Sequence, residues 1–222
     1  MIRRRGVSAI VSDIEGTTGS IAFVHEVLFP YARARLAAFV ASRDPEAAEA
    51  EAEIRAGEDA PDDPALVSVL ERWMDEDRKA GSLKTIQGLI WRGGYQRGEL
   101  KGHVYDDAAR ALTNWRAAGL PLYVYSSGSE AAQRLLFAHS TAGDLSNLFD
   151  GYFDTRIGAK SDPASYRRIA QEIGVNAGAI LFLTDSASEI AAANTAGMQT
   201  VRLVREGAPG AGEAASFDDI AL

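Results

Sequence analysis

Three apolar, β-prone runs, VSAIVSD (7–13), LPLYVYSS (120–127) and AILFLTD (179–185), each end in Asp or Ser, and each leads into a helix-like segment. Strands of a parallel α/β sheet read this way, because helices cover both faces of the sheet and leave little reason for polar and apolar residues to alternate. QTVRLVR (199–205) is a weaker fourth run. The pattern predicts an α/β protein with a Rossmann-like parallel sheet. It also sets the carboxyl ends of the strands side by side, where open parallel sheets bind their ligands.

Between the first run and the second, residues 24–94 are rich in Ala, Glu, Arg and Leu at helical spacing. Asp44-Pro45 and Pro64 read as helix starts with Pro in the first turn, and Gly57 and Gly81 as helix stops. The later strands arrive as if this block had not intervened. The expected organisation is therefore an α/β core formed by residues 1–20 and 103–222, with an all-helical cap, residues 21–102, inserted after the first strand. A chain of 222 residues, 46% of them hydrophobic, can bury a core of that size.

The formal net charge of -8 argues against non-specific binding to nucleic acid or an anionic membrane, which reward clustered Lys and Arg. The absence of cysteine excludes disulfides, thiolate metal sites and a cysteine nucleophile, so a metal would be held by oxygen or imidazole. The opening MIRRRGVSAIVSD is basic and then apolar, but its apolar run is short and broken by Ser8, Ser12 and Asp13. No run reaches the roughly 18 apolar residues that span a bilayer. A cytoplasmic monomer is expected.

The strand ends carry the chemistry. Asp13 and Glu15 stand as D-x-E before Gly16, Thr17 and Thr18. Two acids so close repel unless a cation joins them, and oxygen ligands suit Mg²⁺; the alternative is that Asp13 ends a strand and Glu15 is solvated. After the second run, Ser126, Ser127 and Gly128 precede SEAAQRLLF, where hydroxyls and free N–H groups at a helix start would favour phosphate; the alternative is helix capping by Ser127 or Ser129. Lys160 lies in a Gly/Ser loop before a helix starting near Asp162-Pro163, either as a solvated charge or aimed at the same sheet edge. Asp185 ends the third run as Asp13 ends the first, and Glu189, one helical turn on, faces either that site or solvent.

Acid pair, serine, lysine and acid, in that order at strand and loop ends, resemble the four motifs of the haloacid dehalogenase superfamily. VSDIEGTTGSIAFVHEVLFPYA, KTIQGLIWRGGYQRGELKGHVYDD, YVYSSGS and FLTDSASEIAAANTAGM are similar, over nearly the full chain, to the enolase-phosphatases (acireductone synthases) of methionine salvage. The D-x-E form of the first motif is characteristic of that family, where most superfamily phosphatases have D-x-D. The lysine segment, DTRIGAKSD, departs locally from its relatives but keeps Lys160.

The resemblance implies a small phosphorylated substrate and Mg²⁺. Asp13 would be the nucleophile, Glu15 the general acid and base, and Asp13, Asp185 and the backbone or side chain of Glu15 the metal ligands. Lys160, Ser126 and Ser127 would hold phosphoryl oxygens. Lys84, Gln87 and Trp91 share one helix face at spacings of three and four and would read the substrate from the cap, or else pack and solvate it. His25 is read as a helix or hinge residue. A dehalogenase needs no acid at the position of Glu15, and a phospho-receiver module lacks a large helical insertion. A phosphatase or mutase for another small phosphomonoester stays open.

Overall fold

In the computed structural model, which describes residues 1–222, the sheet contains six strands. They are β1 (Ala9–Ser12), β2 (Leu122–Tyr125), β3 (Gly151–Phe153), β4 (Ile180–Thr184), β5 (Gln199–Leu203) and β6 (Glu213–Ala214). Their order is β3-β2-β1-β4-β5-β6, and every neighbouring pair is parallel. The chain grows outward from β1 through β2 and β3, then returns to the other side of β1 for β4. The loops after β1, β2 and β4 therefore meet at a topological switch point.

Two units are distinct. Met1–Ile21 and Gly102–Leu222 form one, and Ala22–Lys101 the other. The second unit is helical. A helical run opens at Ile21–Phe23, passes through a π-helical turn at Val24–Leu28 and ends as α1 (Phe29–Arg33). It continues as α2 (Leu36–Ser42), α3 (Ala48–Gly57), α4 (Asp63–Asp75) and α5 (Gly81–Gln96). Leu36, Val40, Ile54, Leu66, Leu70 and Ile86 recur at helical spacing and are fully buried together in its core. Asp44 caps the short 3₁₀ turn Pro45–Ala47 that leads into α3, and Asp62 caps α4, with Pro64 in its first turn. Gly57 is the last residue of α3. Gly81, expected as a stop, instead opens α5: α4 has already ended at Asp75, and the left-handed residue after it is Asp77, at φ 50°.

In the sheet unit, α6 (Asp106–Ala117), α7 (Glu130–Ala138), α8 (Pro163–Ile173) and α9 (Ala187–Thr195) join the strands. The residues of β1 and β4 are buried throughout, which explains their unbroken apolar texture. Ala9 and Val11 pack in one core with Tyr125, Tyr166, Ile169 and Phe182. The ring of Tyr166 meets Tyr125 and Phe182 edge-on, with centroids 5.6 and 5.0 Å away, and so fixes α8 against the sheet. Two strands the sequence did not announce, β3 and β6, are three and two residues long, too short to show a period. A separate parallel pair joins Ile2–Arg3 to Ile220–Ala221. No helix is long and apolar enough to cross a membrane.

One buried charge in the helical unit has a stability consequence. Glu51 of α3 is 9% exposed, and its Oε1 has no hydrogen-bond partner. Burial pushes its carboxyl above the ordinary value, against the opposing pull of Arg55 and Arg43. A carboxyl whose folded pKa lies above its unfolded one weakens the fold as pH rises from the unfolded value, 4.5, through the folded one. Glu51→Gln, which does not titrate, is expected to gain melting temperature relative to the parent at pH 8 and to lose that advantage at pH 4. Thermal unfolding by circular dichroism at the two pH values checks the sign.

Candidate active site

Asp13 is the first residue beyond β1, and its N–H extends the ladder to the Leu183 carbonyl at 2.9 Å. Because Ser12 pairs with Leu183, Asp13 stands level with Thr184, and Asp185 lies one residue farther out than a simple alignment of strand ends suggests. Asp13 is 4% exposed. Its Oδ1 accepts the Ile14 N–H at 2.8 Å and pairs with Lys160 Nζ at 2.6 Å, and its Oδ2 accepts the Thr184 hydroxyl at 3.3 Å. Its own carbonyl takes the hydroxyls of Thr18 and Ser12, at 3.1 and 3.0 Å. Packing and hydrogen bonds thus fix this carboxylate before any ligand arrives.

Lys160 reaches it from the loop before α8. That loop is tied down by the Tyr125 hydroxyl on the Gly158 carbonyl (3.0 Å), the Ser165 hydroxyl on the Ala159 carbonyl (2.8 Å) and the Tyr166 hydroxyl on the Lys160 carbonyl (2.7 Å). The ammonium also pairs with Glu189 Oε2 at 2.9 Å. Burial alone would pull its pKa down, but the Asp13 and Glu189 carboxylates outweigh burial and hold it above the ordinary lysine value. Glu189, which the sequence left facing either way, is therefore part of the cluster. So is Thr184, which sequence reading missed: its hydroxyl lies 2.8 Å from Glu189 as well as against Asp13. The one available hint was a hydroxyl residue inside a run otherwise apolar up to Asp185.

Glu15 turns toward β2. The Ser126 hydroxyl lies 3.1 Å from its Oε2, and burial together with the Asp13 charge pushes its carboxyl above the ordinary range. Ser126 is fully buried and also accepts the Gly128 N–H at 3.1 Å. Ser127 is exposed, and the cap of α7 is supplied by Ser129, whose hydroxyl accepts the Ala132 N–H. Gly16 makes the turn at φ 68°, and a Cβ there would come within 2.2 Å of Asp185 Oδ2. Only glycine lets the backbone pass this close to the second aspartate. Burial and the Asp13 charge raise the Asp185 carboxyl, and burial and the Asp13 charge likewise raise that of Glu189.

The donor set suits a hard cation. Asp13 and Asp185 offer carboxylate oxygen and no softer ligand. That combination fits Mg²⁺, which keeps several waters and takes one or two carboxylates from the protein. The Glu15 side chain is engaged by the Ser126 hydroxyl.

The remaining residues expected at the site, Lys84, Gln87 and Trp91, lie on α5 of the helical unit. Gln87 is buried and Lys84 half-buried. Trp91 donates its indole N–H to the Leu28 carbonyl at 2.8 Å and stacks on Phe29, which His25 in turn meets edge-on.

The sequence pattern of the haloacid dehalogenase-like hydrolases matches residues 7–197. Enolase-phosphatase E1 of Parvibaculum lavamentivorans is 59% identical over 203 residues, 90% of this chain and 86% of that protein. Its counterpart in Methylococcus capsulatus is 53% identical over 221 residues, covering 96% and 97% of the two chains. The chain belongs to the haloacid dehalogenase-like hydrolases, in the enolase-phosphatase E1 family. The crystal structure of the UTR4 protein of Saccharomyces cerevisiae superimposes with a TM-score of 0.81 at 31% identity, over 93% of this chain and 95% of that one.

Within this family site, Gly16→Ala is a sharp probe. The added methyl would meet the Asp185 carboxylate itself and would occupy a left-handed backbone conformation. Activity is expected to fall by about 10²-fold with the circular dichroism spectrum unchanged, the scale of loss that follows a small misplacement of reacting groups. Steady-state rates against the parent check it.

Proposed function

We propose that the chain is a Mg²⁺-dependent enolase-phosphatase that converts the diketo methylthiopentyl phosphate of methionine salvage into the enediol acireductone and inorganic phosphate, in the cytoplasm. The observation that carries this reading is the buried Asp13 carboxylate, with Lys160 at 2.6 Å and the Glu15 carboxyl turned to Ser126 beside it.

A phosphomonoester shields its phosphorus with negative oxygens, so an attacking carboxylate needs positive charge and donors at hand. Asp13 attacks phosphorus, forming the acyl-phosphate bond as the ester P–O bond breaks. Glu15, whose carboxyl burial and the Asp13 charge push above the ordinary range, protonates the leaving oxygen. Water then attacks phosphorus, Glu15 takes its proton, and the Asp13 carboxylate is regenerated as phosphate departs. Lys160, Ser126 and Ser127 hold the phosphoryl oxygens through the cycle. Asp13, Asp185 and the backbone or side chain of Glu15 would hold Mg²⁺, which when bound would supply charge neutralisation for phosphoryl transfer and for proton abstraction beside the carbonyl.

Lys84, Gln87 and Trp91 read the rest of the substrate. Because the Trp91 N–H is already donated to Leu28, the ring face is what Trp91 has to offer, and a ring face suits a thioether.

Phosphate release and enediol absorbance, followed together on the diketo phosphate with and without Mg²⁺, test the reading. The parent should yield both products only with the metal, and Asp13→Asn neither. Gln87→Ala should lose on the order of tenfold on this substrate while hydrolysing 4-nitrophenyl phosphate at the parental rate. Phosphate without enediol would point to a different phosphomonoester, and substantial turnover by Asp13→Asn would overturn the covalent route.

A further inference from the structure

The two loops that carry Glu15 and Asp185 are each gripped through a backbone carbonyl by an arginine from the same stretch of chain. Arg202, in β5, donates its Nε–H to the Asp185 carbonyl at 2.8 Å. Arg205, two residues beyond β5, donates from both Nε and Nη2 to the Thr17 carbonyl, at 3.0 and 2.6 Å. Each guanidinium is anchored in turn by an acid. Arg202 pairs with Glu213 of β6 at 3.0 Å, and Arg205 with Asp107 of α6 at 2.7 Å.

The Arg205 anchor is the more elaborate of the two. Its guanidinium lies 4.2 Å over the Tyr105 ring and 5.3 Å from that of Phe217, and it is 12% exposed. Asp107 Oδ2 also accepts the Ser216 hydroxyl at 3.0 Å and the Phe217 N–H at 2.7 Å. The C-terminal segment is thus wired through Asp107 and Arg205 to the Thr17 carbonyl, two residues from Glu15. A planar fork suits this: Nε and Nη2 meet the Thr17 carbonyl while Nη1 reaches Asp107, three donors held in one fixed geometry.

Neither arginine touches the groups that react. The loop of Glu15 and the loop of Asp185 that they grip lie so close that a methyl on Gly16 would strike Asp185 Oδ2. We propose that Arg205, assisted by Arg202, is a positioning residue for phosphoryl transfer: it fixes the Thr17 carbonyl, and through it the placement of Glu15 and Gly16 against Asp185. This rests on the reading of Asp13 and Glu15 as nucleophile and acid, and extends it to residues that act only through the backbone.

Hydrolysis of 4-nitrophenyl phosphate by Arg205→Ala, Arg205→Lys, Trp115→Phe and Asp13→Asn, with melting temperatures for each, tests the proposal. Trp115 packs against Phe217, with ring centroids 5.6 Å apart, and has no hydrogen bond to the Thr17 loop, so it reports loss of packing alone. Arg205→Ala is expected to lose about 10²-fold in kcat with KM changed only a few-fold, and added guanidinium should restore part of that loss. Arg205→Lys keeps a cation beside Asp107 and so a near-parental melting temperature, yet should stay about tenfold down in kcat. Trp115→Phe should melt lower at unchanged kcat. Full activity in Arg205→Lys, or a kcat loss in Trp115→Phe that matches its fall in melting temperature, would overturn the proposal. Should Asp13→Asn remain active, the underlying reading fails whatever Arg205 does. An inactive Asp13→Asn beside fully active Arg205 variants removes the clamp alone.

Discussion

An ammonium that is nine-tenths out of water keeps its charge only if anions meet it, and Lys160 is met by two, Asp13 at 2.6 Å and Glu189 at 2.9 Å. The pair cannot be separated cheaply, because removing one partner of a buried ion pair strands the other, typically at about 3–5 kcal/mol. Much of the surrounding architecture serves to hold this contact. Tyr125, Ser165 and Tyr166 tie the lysine loop through its carbonyls, and Thr184 bridges the two acids. On the proposed mechanism the same arrangement serves chemistry, because an attacking Asp13 carboxylate with a cation already beside it can approach a phosphate dianion.

Asp13, Ser126 and Asp185 were legible in the sequence because each ends an apolar run, and the parallel order β2-β1-β4 brings those ends together. Lys160 was legible as a candidate and became specific only with the order of the other motifs. Thr184 was not legible: its role comes from the β1–β4 register, which places it level with Asp13, and no local pattern encodes a register between strands about 170 residues apart. The strands β3 and β6 escaped for a simpler reason, since three and two residues carry no period. Gly81 misled because a left-handed helix exit does not require glycine, and Asp77 supplied it instead.

The two units divide the work differently in their sequences. The helical unit shows its core plainly, in Leu, Val and Ile at three- and four-residue spacing. The sheet unit hides much of its logic in polar contacts to backbone carbonyls: Thr18 on Asp13, Arg202 on Asp185, Arg205 on Thr17 and Gln133 on Gly128 and Phe153. Such contacts fix loops that apolar packing cannot reach, because a loop at a sheet edge has few side chains to bury. Glu15, by contrast, is held by a side chain, the Ser126 hydroxyl, and burial with the Asp13 charge raises its carboxyl.

The central claim is that phosphate passes through a covalent bond to Asp13. Acid quenching of the enzyme during turnover of a substrate labelled in its phosphate, followed by peptide mapping of the denatured protein, tests it directly. The account predicts acid-stable, hydroxylamine-labile label on a peptide containing Asp13. Label on another residue, or none while phosphate is being released, would contradict it.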